Sequence, residues 1–475
     1  MGHIAGSASE RFARHVTGLR YEDLPAGAVA QAKTFILDTF GVGVAGSSAD
    51  GADALLRAAR NWGAGEHATL WGRAERVPAA TAAFINGFQV HCQEFDCLHE
   101  PAVLHVMATL LPAAMAEAER GRNISGRDLI VAVVAGVDVA VTLGLAAKAR
   151  LRFFRPATAG GFGAIAAVAR LAGLDAAALV NAFGIQYAQT SGTMQPHLEA
   201  SVVLPAQIGF NARAALQSCD LAQAGVIAPR EVFEGRYGYL PLFEGEYELT
   251  PLLDQLGRVW RIEELSHKPY PAGRATHGGI EGIVALQREH GFQPIDVAEV
   301  RVIGPALISQ LCGRPDIAAP GANYARLCMA FVGAKVLQHG GLDLSHCRDA
   351  ALVDPVTHQL ARRIRMEADA NPDPNALAPQ QVIVRLQDGT ERRWRGETLL
   401  ANPARPFTRA QQLAKFRRCW EFAAGSLGVA AGERLIDMVD ALETVTDVRT
   451  LVSLLSATAA SPATGQSVRQ PLSPA

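Results

Sequence analysis

The stretch "DLIVAVVAGVDVAVTLGLAAKAR", beginning at Asp128, is nearly apolar for about twenty residues. A helix of that length and composition either spans a bilayer or is enclosed by protein on every side. Asp138 stands in its middle, where a charge in lipid is costly. The residues are mostly Ala, Val and Gly, and the sequence holds a single such segment. It is therefore read as a helix buried inside a large helical domain, with no membrane association. Enclosing it takes a sizeable core, and 475 residues of which 49% are hydrophobic supply one.

The first half of the chain fits that reading. "LPAGAVAQAKTFILDTFGVGVAGS" carries apolar residues at helical spacing and stops at Gly. "VLHVMATLLPAAMAEAERG" is a second helix, ended by Gly121, and Ser125 with Asp128 forms a capping signal for the apolar one. "TAGGFGAIAAVARLAGLD" and "SVVLPAQIGFNARAALQSCDLAQAG" predict two more. The texture changes near residue 265. "HKPYPAGRATHGGIEGIVALQREHG" reads as a loop and then a helix from about Thr276, "DVAEVRVIG" as a strand, and "NYARLCMAFVGAKVLQHGG" as a helix. "QQVIVRLQDGTERRWRGE" predicts a β-hairpin turning at Asp388-Gly389. Helical pattern returns from Thr408 to Leu455. The expected fold class is mainly α with α+β. Residues 1–264 are helical, 265–400 form a smaller α+β unit, 401–457 are helical again, and 458–475 form a disordered tail.

Charge and cysteine content narrow the function. Lys+Arg 44 against Asp+Glu 46 leaves a formal charge of -2, which argues against nucleic acid or an anionic membrane as partner. Seven scattered cysteines, and a start "MGHIAGSASERFARH" without an apolar signal segment, suggest reduced thiols in a cytoplasmic setting. Cys92 and Cys97 lack a second pair near by, so they argue only weakly for zinc.

Three stretches could carry chemistry. "HCQEFDCLHEPAVLH", His91 to His105, crowds imidazoles and carboxylates into a segment expected between a helix ending near Gln89 and one starting near Val103. His91, Glu94, Asp96, His99 and His105 could ligate a divalent ion, but no pair of histidines has the helical spacing of the known short metal signatures. Alternatively they shift each other's proton affinity and act as acid and base. Some, Glu100 and His91 among them, could merely cap helices. "SHKPYPAGRATHGG" places Lys268, Tyr270, Arg274 and His277 just before a helix, where an anion is favoured; a linker with solvated charges is the plainer reading. "FFRPATAGGFGA" puts Arg155 at a Gly-rich helix entrance without a preceding strand, so it is no dinucleotide fingerprint. Arg155 could clamp a carboxylate or simply face solvent.

"AAFINGFQVHCQEFD", "LLPAAMAEAERG", "SGRDLIVAVVAGVDVAVTLG", "TAGGFGAIAAVARLAGLD", "KPYPAGRATHGGIEGIVAL" and "NYARLCMAF" follow one another in an order and spacing that resembles the MmgE/PrpD family, from about residue 8 to 455. The resemblance implies a large helical domain built from both chain ends, with an inserted α+β lid. It further implies a homodimer, an active site in the cleft between the domains, no cofactor, no metal, and proton transfer beside a carboxylate of a small polycarboxylate. Residue by residue, it carries catalytic groups onto Glu94, His105 and Lys268 and matches Asp96 and His277; these last two, with His99 and the Arg155 that stands where the family has His, are the expected substrate contacts, the roles of Asp96 and His99 being left open. The chain departs from the family pattern at three positions. Cys97 replaces an acid, Arg155 replaces a His, and Leu204 stands where a Lys is expected. On this resemblance Lys268 steadies an enolate, and lid closure brings it to the His91–His105 loop. The expected activity is a cofactor-independent lyase, dehydratase-like or decarboxylase-like. An epimerase or isomerase using the same proton abstraction, a non-catalytic ligand-binding relative and a metal-dependent hydrolase are the alternatives.

Overall fold

The computed structural model describes residues 6–423 and 427–457. The tail expected at 458–475 lies outside them. The fold is mainly α with a small α+β part.

The first half supplies eight principal helices: α1 (Ala8–Gly18), α2 (Ala26–Ala45), α3 (Ala79–His91), α4 (Val106–Arg120), α5 (Gly126–Ala146), α6 (Arg155–Ala172), α7 (Ala176–Gln189) and α8 (Val203–Gln223). The apolar segment is α5, and its window of highest hydropathy is 94% buried inside the protein. Its start is capped as the sequence implies. Ser125 Oγ accepts from the Asp128 N–H, and Asp128 Oδ2 accepts from the Ser125 N–H. Helix α6 packs against α4, α5 and α8. The close approach needs small residues: a Cβ on Gly136 of α5 would lie 2.6 Å from the Gly163 carbonyl of α6, and the reverse holds equally. Asp138, at the centre of α5, is satisfied by His15 Nε2 at 2.9 Å and by the Arg261 N–H at 3.0 Å.

After residue 265 come α9 (His277–His290), strand β1 (Val297–Gly304), α10 (Met329–His339), β2 (Ile364–Ala368), β3 (Gln380–Leu386) and β4 (Glu391–Gly396). The sheet order is β2-β1-β3-β4, with β1 parallel to β2 and antiparallel to β3. The hairpin forms where predicted, but its connection is longer than a two-residue turn: Arg385 pairs with Glu391, and Gly389 takes the left-handed conformation at φ 87°. Strand β2 carried no sequence signal recognised above. The helix expected over "NYARLCMAFVGAKVLQHGG" is broken. Ala322–Arg326 is one turn, Cys328 is extended and pairs with Gly313, and α10 begins after it.

Helices α11 (Arg409–Ala423), α12 (Val429–Asp440) and α13 (Arg449–Leu455) then return to the helical body. The first two pack on α2, and the last touches α4.

Candidate active site

Helix α3 ends at His91 and α4 begins after His105, so both imidazoles stand at the mouths of rigid helices with a buried loop between them. Asp96 is the hub. Its Oδ2 accepts from His91 Nδ1 at 2.9 Å. His105 Nδ1 approaches the same oxygen to 3.1 Å, at an angle outside hydrogen-bond geometry. The two rings meet edge to face, with centroids 4.9 Å apart. Lys268 Nζ donates to Glu94 Oε2 at 2.8 Å and to the Glu94 carbonyl at 3.1 Å, and lies 3.8 Å from Asp96 Oδ1.

The long-range meeting of Lys268 with this loop has a local cause. Leu98 and Ser266 exchange two backbone hydrogen bonds, of 3.0 and 2.7 Å. Ser266 Oγ also donates to Glu100 Oε1 at 2.7 Å, and Arg274 Nη2 donates to the same oxygen at 2.7 Å. Glu100 therefore ties two segments together, where the sequence suggested a helix cap. Lys268 is already held against the loop by this stitch, so domain closure is not needed to deliver it.

Electrostatics divide the labour. Burial and Lys268 push His105 below its ordinary value against the pull of Asp96, so the ring is neutral near pH 7. Burial also opposes charge on His91, but Asp96 and Glu94 together outweigh it and favour the imidazolium. Glu94 is buried, which alone would raise it; Lys268 and the two imidazoles instead bring it down to about 2. Asp96 is driven well below the usual carboxylate range, its burial overcome by His105 and His91. Glu94 is thus a poor base in this arrangement, and His105 is the neutral group with proton affinity to spare.

His91, Glu94 and His105 line a cavity of about 60 Å³. Asp96 and Lys268 stand behind that wall and set its charge. The other predicted contacts lie elsewhere. Arg155, expected to bind a remote carboxylate, stands off the cavity wall: it is fully buried, with Nε donating to Glu244 Oε2 at 2.9 Å, and its neighbours Phe154 and Pro156 line the cavity. Nor does it stand in for the Lys missing at Leu204, which is itself part of the cavity wall. His277 is also off the wall; its Nε2 lies 3.1 Å from the Ala272 carbonyl, and burial beside Arg274 keeps it neutral. His99 holds the loop, with Nε2 3.0 Å from Glu264 and Nδ1 accepting from the Ala102 N–H.

Three polar wall residues received no role from the family resemblance: His91, Arg274 and His197. The first two sat in stretches already marked for chemistry. His197 lies in a segment with no motif, and only its position beside the cavity reveals it.

His91, Asp96 and His105 offer ligand atoms within 4.8 Å of one another, close enough to share a metal ion. The Lys268 ammonium 3.8 Å from Asp96 Oδ1 disfavours a second cation there, and Asp96 Oδ2 is already bonded to His91.

A neutral imidazole, a second imidazole favoured as its cation, and a lysine grouped around two carboxylates at a cavity wall make a set of groups able to pass protons. The chain belongs to the MmgE/PrpD family: residues 10–252 match its N-terminal domain and residues 270–444 its C-terminal domain. Curated relatives span nearly the whole chain. The cis-aconitate decarboxylase of Mus musculus is 26% identical over 94% of this chain and 93% of its own. That of Homo sapiens is 26% identical over 94% of both, and that of Aspergillus terreus is 26% identical over 94% and 95%.

Proposed function

We propose that the protein is a lyase that begins by removing a proton beside a carboxylate. The observation that supports this reading is the unequal pair of imidazoles on one carboxylate. Asp96 draws the His105 proton to Nδ1 and leaves Nε2 as the base. His91, favoured as imidazolium, has an Nε2–H that makes no hydrogen bond and lies 3.5 Å from Glu94 Oε1, so it can turn its proton to the oxygen on which enolate charge develops. Lys268 adds fixed positive charge behind them. Hydroxide departing from the adjacent carbon with its bonding pair then completes an elimination; carbon dioxide departs without its bonding pair, so its loss requires the removed proton to be returned and one more to be delivered to the carbanion left behind. The relatives' decarboxylase names favour carbon dioxide. The α+β segment would move as a lid hinged beyond the Leu98–Ser266 bridge, excluding water while Lys268 stays in place.

In deuterated buffer the purified protein should wash deuterium into its substrate beside the carboxylate. Lys268→Ala and His105→Ala should each lower that exchange by about a hundredfold or more, with little change in melting temperature for His105→Ala. Full exchange in both variants would overturn the assignment.

A further inference from the structure

Three imidazoles reach the cavity, and two of them have work, His105 as base and His91 as donor. The third is His197, on the single turn Gln195–Leu198. Its ring is held from behind. Arg314 Nη2 donates to the His197 carbonyl at 2.9 Å and lies 3.4 Å from Nδ1, while the guanidinium stacks on Tyr324, 5.0 Å from the ring centroid. A guanidinium can only donate, so Nδ1 keeps its lone pair and the ring proton sits on Nε2. Burial and the neighbouring guanidinium press His197 down to about 4, so no second proton joins it near pH 7. Nε2 lies across the ring from the Arg314 side and makes no hydrogen bond among the described residues. His197 thus offers the cavity an uncharged N–H donor of fixed tautomer.

The charge behind that donor is unspent. Lys268 pairs with Glu94, and Arg274 with Glu100. Arg314 and Arg326 meet no carboxylate among the described residues, and Arg314 keeps a buried Nη1 without a hydrogen bond. Arg326 gives Nη1 to the Cys92 carbonyl at 3.4 Å, away from the wall. Of the two, only Arg314 bears on the cavity, through His197. A carboxylate suits both groups: one oxygen accepts from Nε2–H, and its charge answers the guanidinium behind the ring. A neutral imidazole of such low proton affinity is a poor base and a very weak acid, so the ring holds a ligand and does not move its protons.

We propose that His197 is a substrate-binding residue. Its Nε2–H receives a carboxylate that does not react, while His105 works on a carbon elsewhere in the same molecule. Arg314 is the positioning residue: it fixes the tautomer of the ring and supplies the countercharge. The assignment deepens the proton-transfer reading above and rests on it.

Two measurements on the whole protein test it, with cis-aconitate as probe: the calorimetric Kd, and the rate of deuterium exchange at rising probe concentration. His197→Phe should raise Kd and the half-saturating concentration by about tenfold or more. Its limiting rate should stay within about threefold of the unaltered protein, because a carboxylate that does not react is held equally before and during proton transfer. His197→Gln, whose amide N–H can reach the place of Nε2–H, should keep Kd within about threefold. Arg314→Met, at a half-buried position, should weaken binding by about threefold or more, and Arg314→Lys should recover most of that loss. These two serve if His197→Phe does not fold. Nitrogen NMR of histidine-labelled protein should show His197 protonated at Nε2 and bare at Nδ1, and Arg314→Met should mix the two tautomers. A Kd unmoved in the folded variants, a limiting rate that falls while Kd holds, a proton found on Nδ1, or no binding of cis-aconitate to the unaltered protein would each overturn the proposal. The expected Kd pattern without exchange leaves the carboxylate site standing and removes the lyase reading. Exchange in the unaltered protein with Kd untouched by either substitution does the opposite.

Discussion

Glu94 has φ 51°, a left-handed backbone that costs a non-glycine residue on the order of 1 kcal/mol or more. The strain turns the loop so that side chain and carbonyl of one residue both accept from Lys268. Replacing one member of such a buried pair strands the other. Glu94→Gln should destabilise the fold by about 3 kcal/mol, and Glu94→Gln with Lys268→Met should recover part of that loss in a denaturant-unfolding cycle. The ionised Glu94 adds stability that is fully present above its ordinary value near 4.5 and drains away as pH falls towards about 2. Activity should follow a bell in pH. Its acid limb lies below the ordinary imidazole value of 6.5, where His105 gains a proton, and its alkaline limb lies above it, where His91 loses one. Asp96 supports the charged form of both rings, so Asp96→Asn should move both limbs to lower pH. A variant that loses rate at every pH with limbs unmoved would show that Asp96 only shapes the loop.

At the level of elements, α5 and α6 cross so closely that backbone meets backbone. Gly163→Ala should cost about 1–3 kcal/mol by thermal or denaturant unfolding, because its new methyl meets a carbonyl that belongs to a rigid helix. Asp138→Asn should cost a similar amount, since it weakens the acceptor for both His15 and the Arg261 N–H. Much at this scale was legible in the sequence. The apolar helix, its Ser125 cap, the strand at 297–304 and the hairpin all follow from period, capping chemistry and turn residues. Strand β2 was missed because its alternation, "IRMEA", runs for only five residues, and the segment gains its place from parallel pairing with β1. The break at Cys328 was missed for the same reason: a bridge to Gly313 overrides a locally helical pattern. In the site, Glu94, Asp96, His105 and Lys268 cluster as their motifs suggest. Arg155 and His277 carry equal charge or proton affinity on paper, but their partners, Glu244 and Ala272, are set by tertiary packing that no spacing rule records.

Across the whole molecule, the two ends of the chain meet at the active loop. Lys415 of α11 donates to the Phe95 carbonyl at 2.7 Å, pairs with Asp38 of α2 at 2.7 Å, and lies over the Phe95 ring. Phe95 sits between Glu94 and Asp96, so α11 fixes the backbone that aims both carboxylates. Lys415→Met should therefore lower kcat by about tenfold or more with a smaller change in KM, although the residue touches no substrate. Pairing it with Asp38→Asn should restore folding stability but not the rate.

That anchor also imposes a timetable on biogenesis. A nascent chain can gather His91, Asp96 and His105 early, since they leave the ribosome within a short interval. The grip on Phe95 arrives only after some three hundred further residues have been made. Synthesis must pass Lys415 before the loop is clamped, so an unfinished polypeptide is kept from working on metabolites by its own geometry.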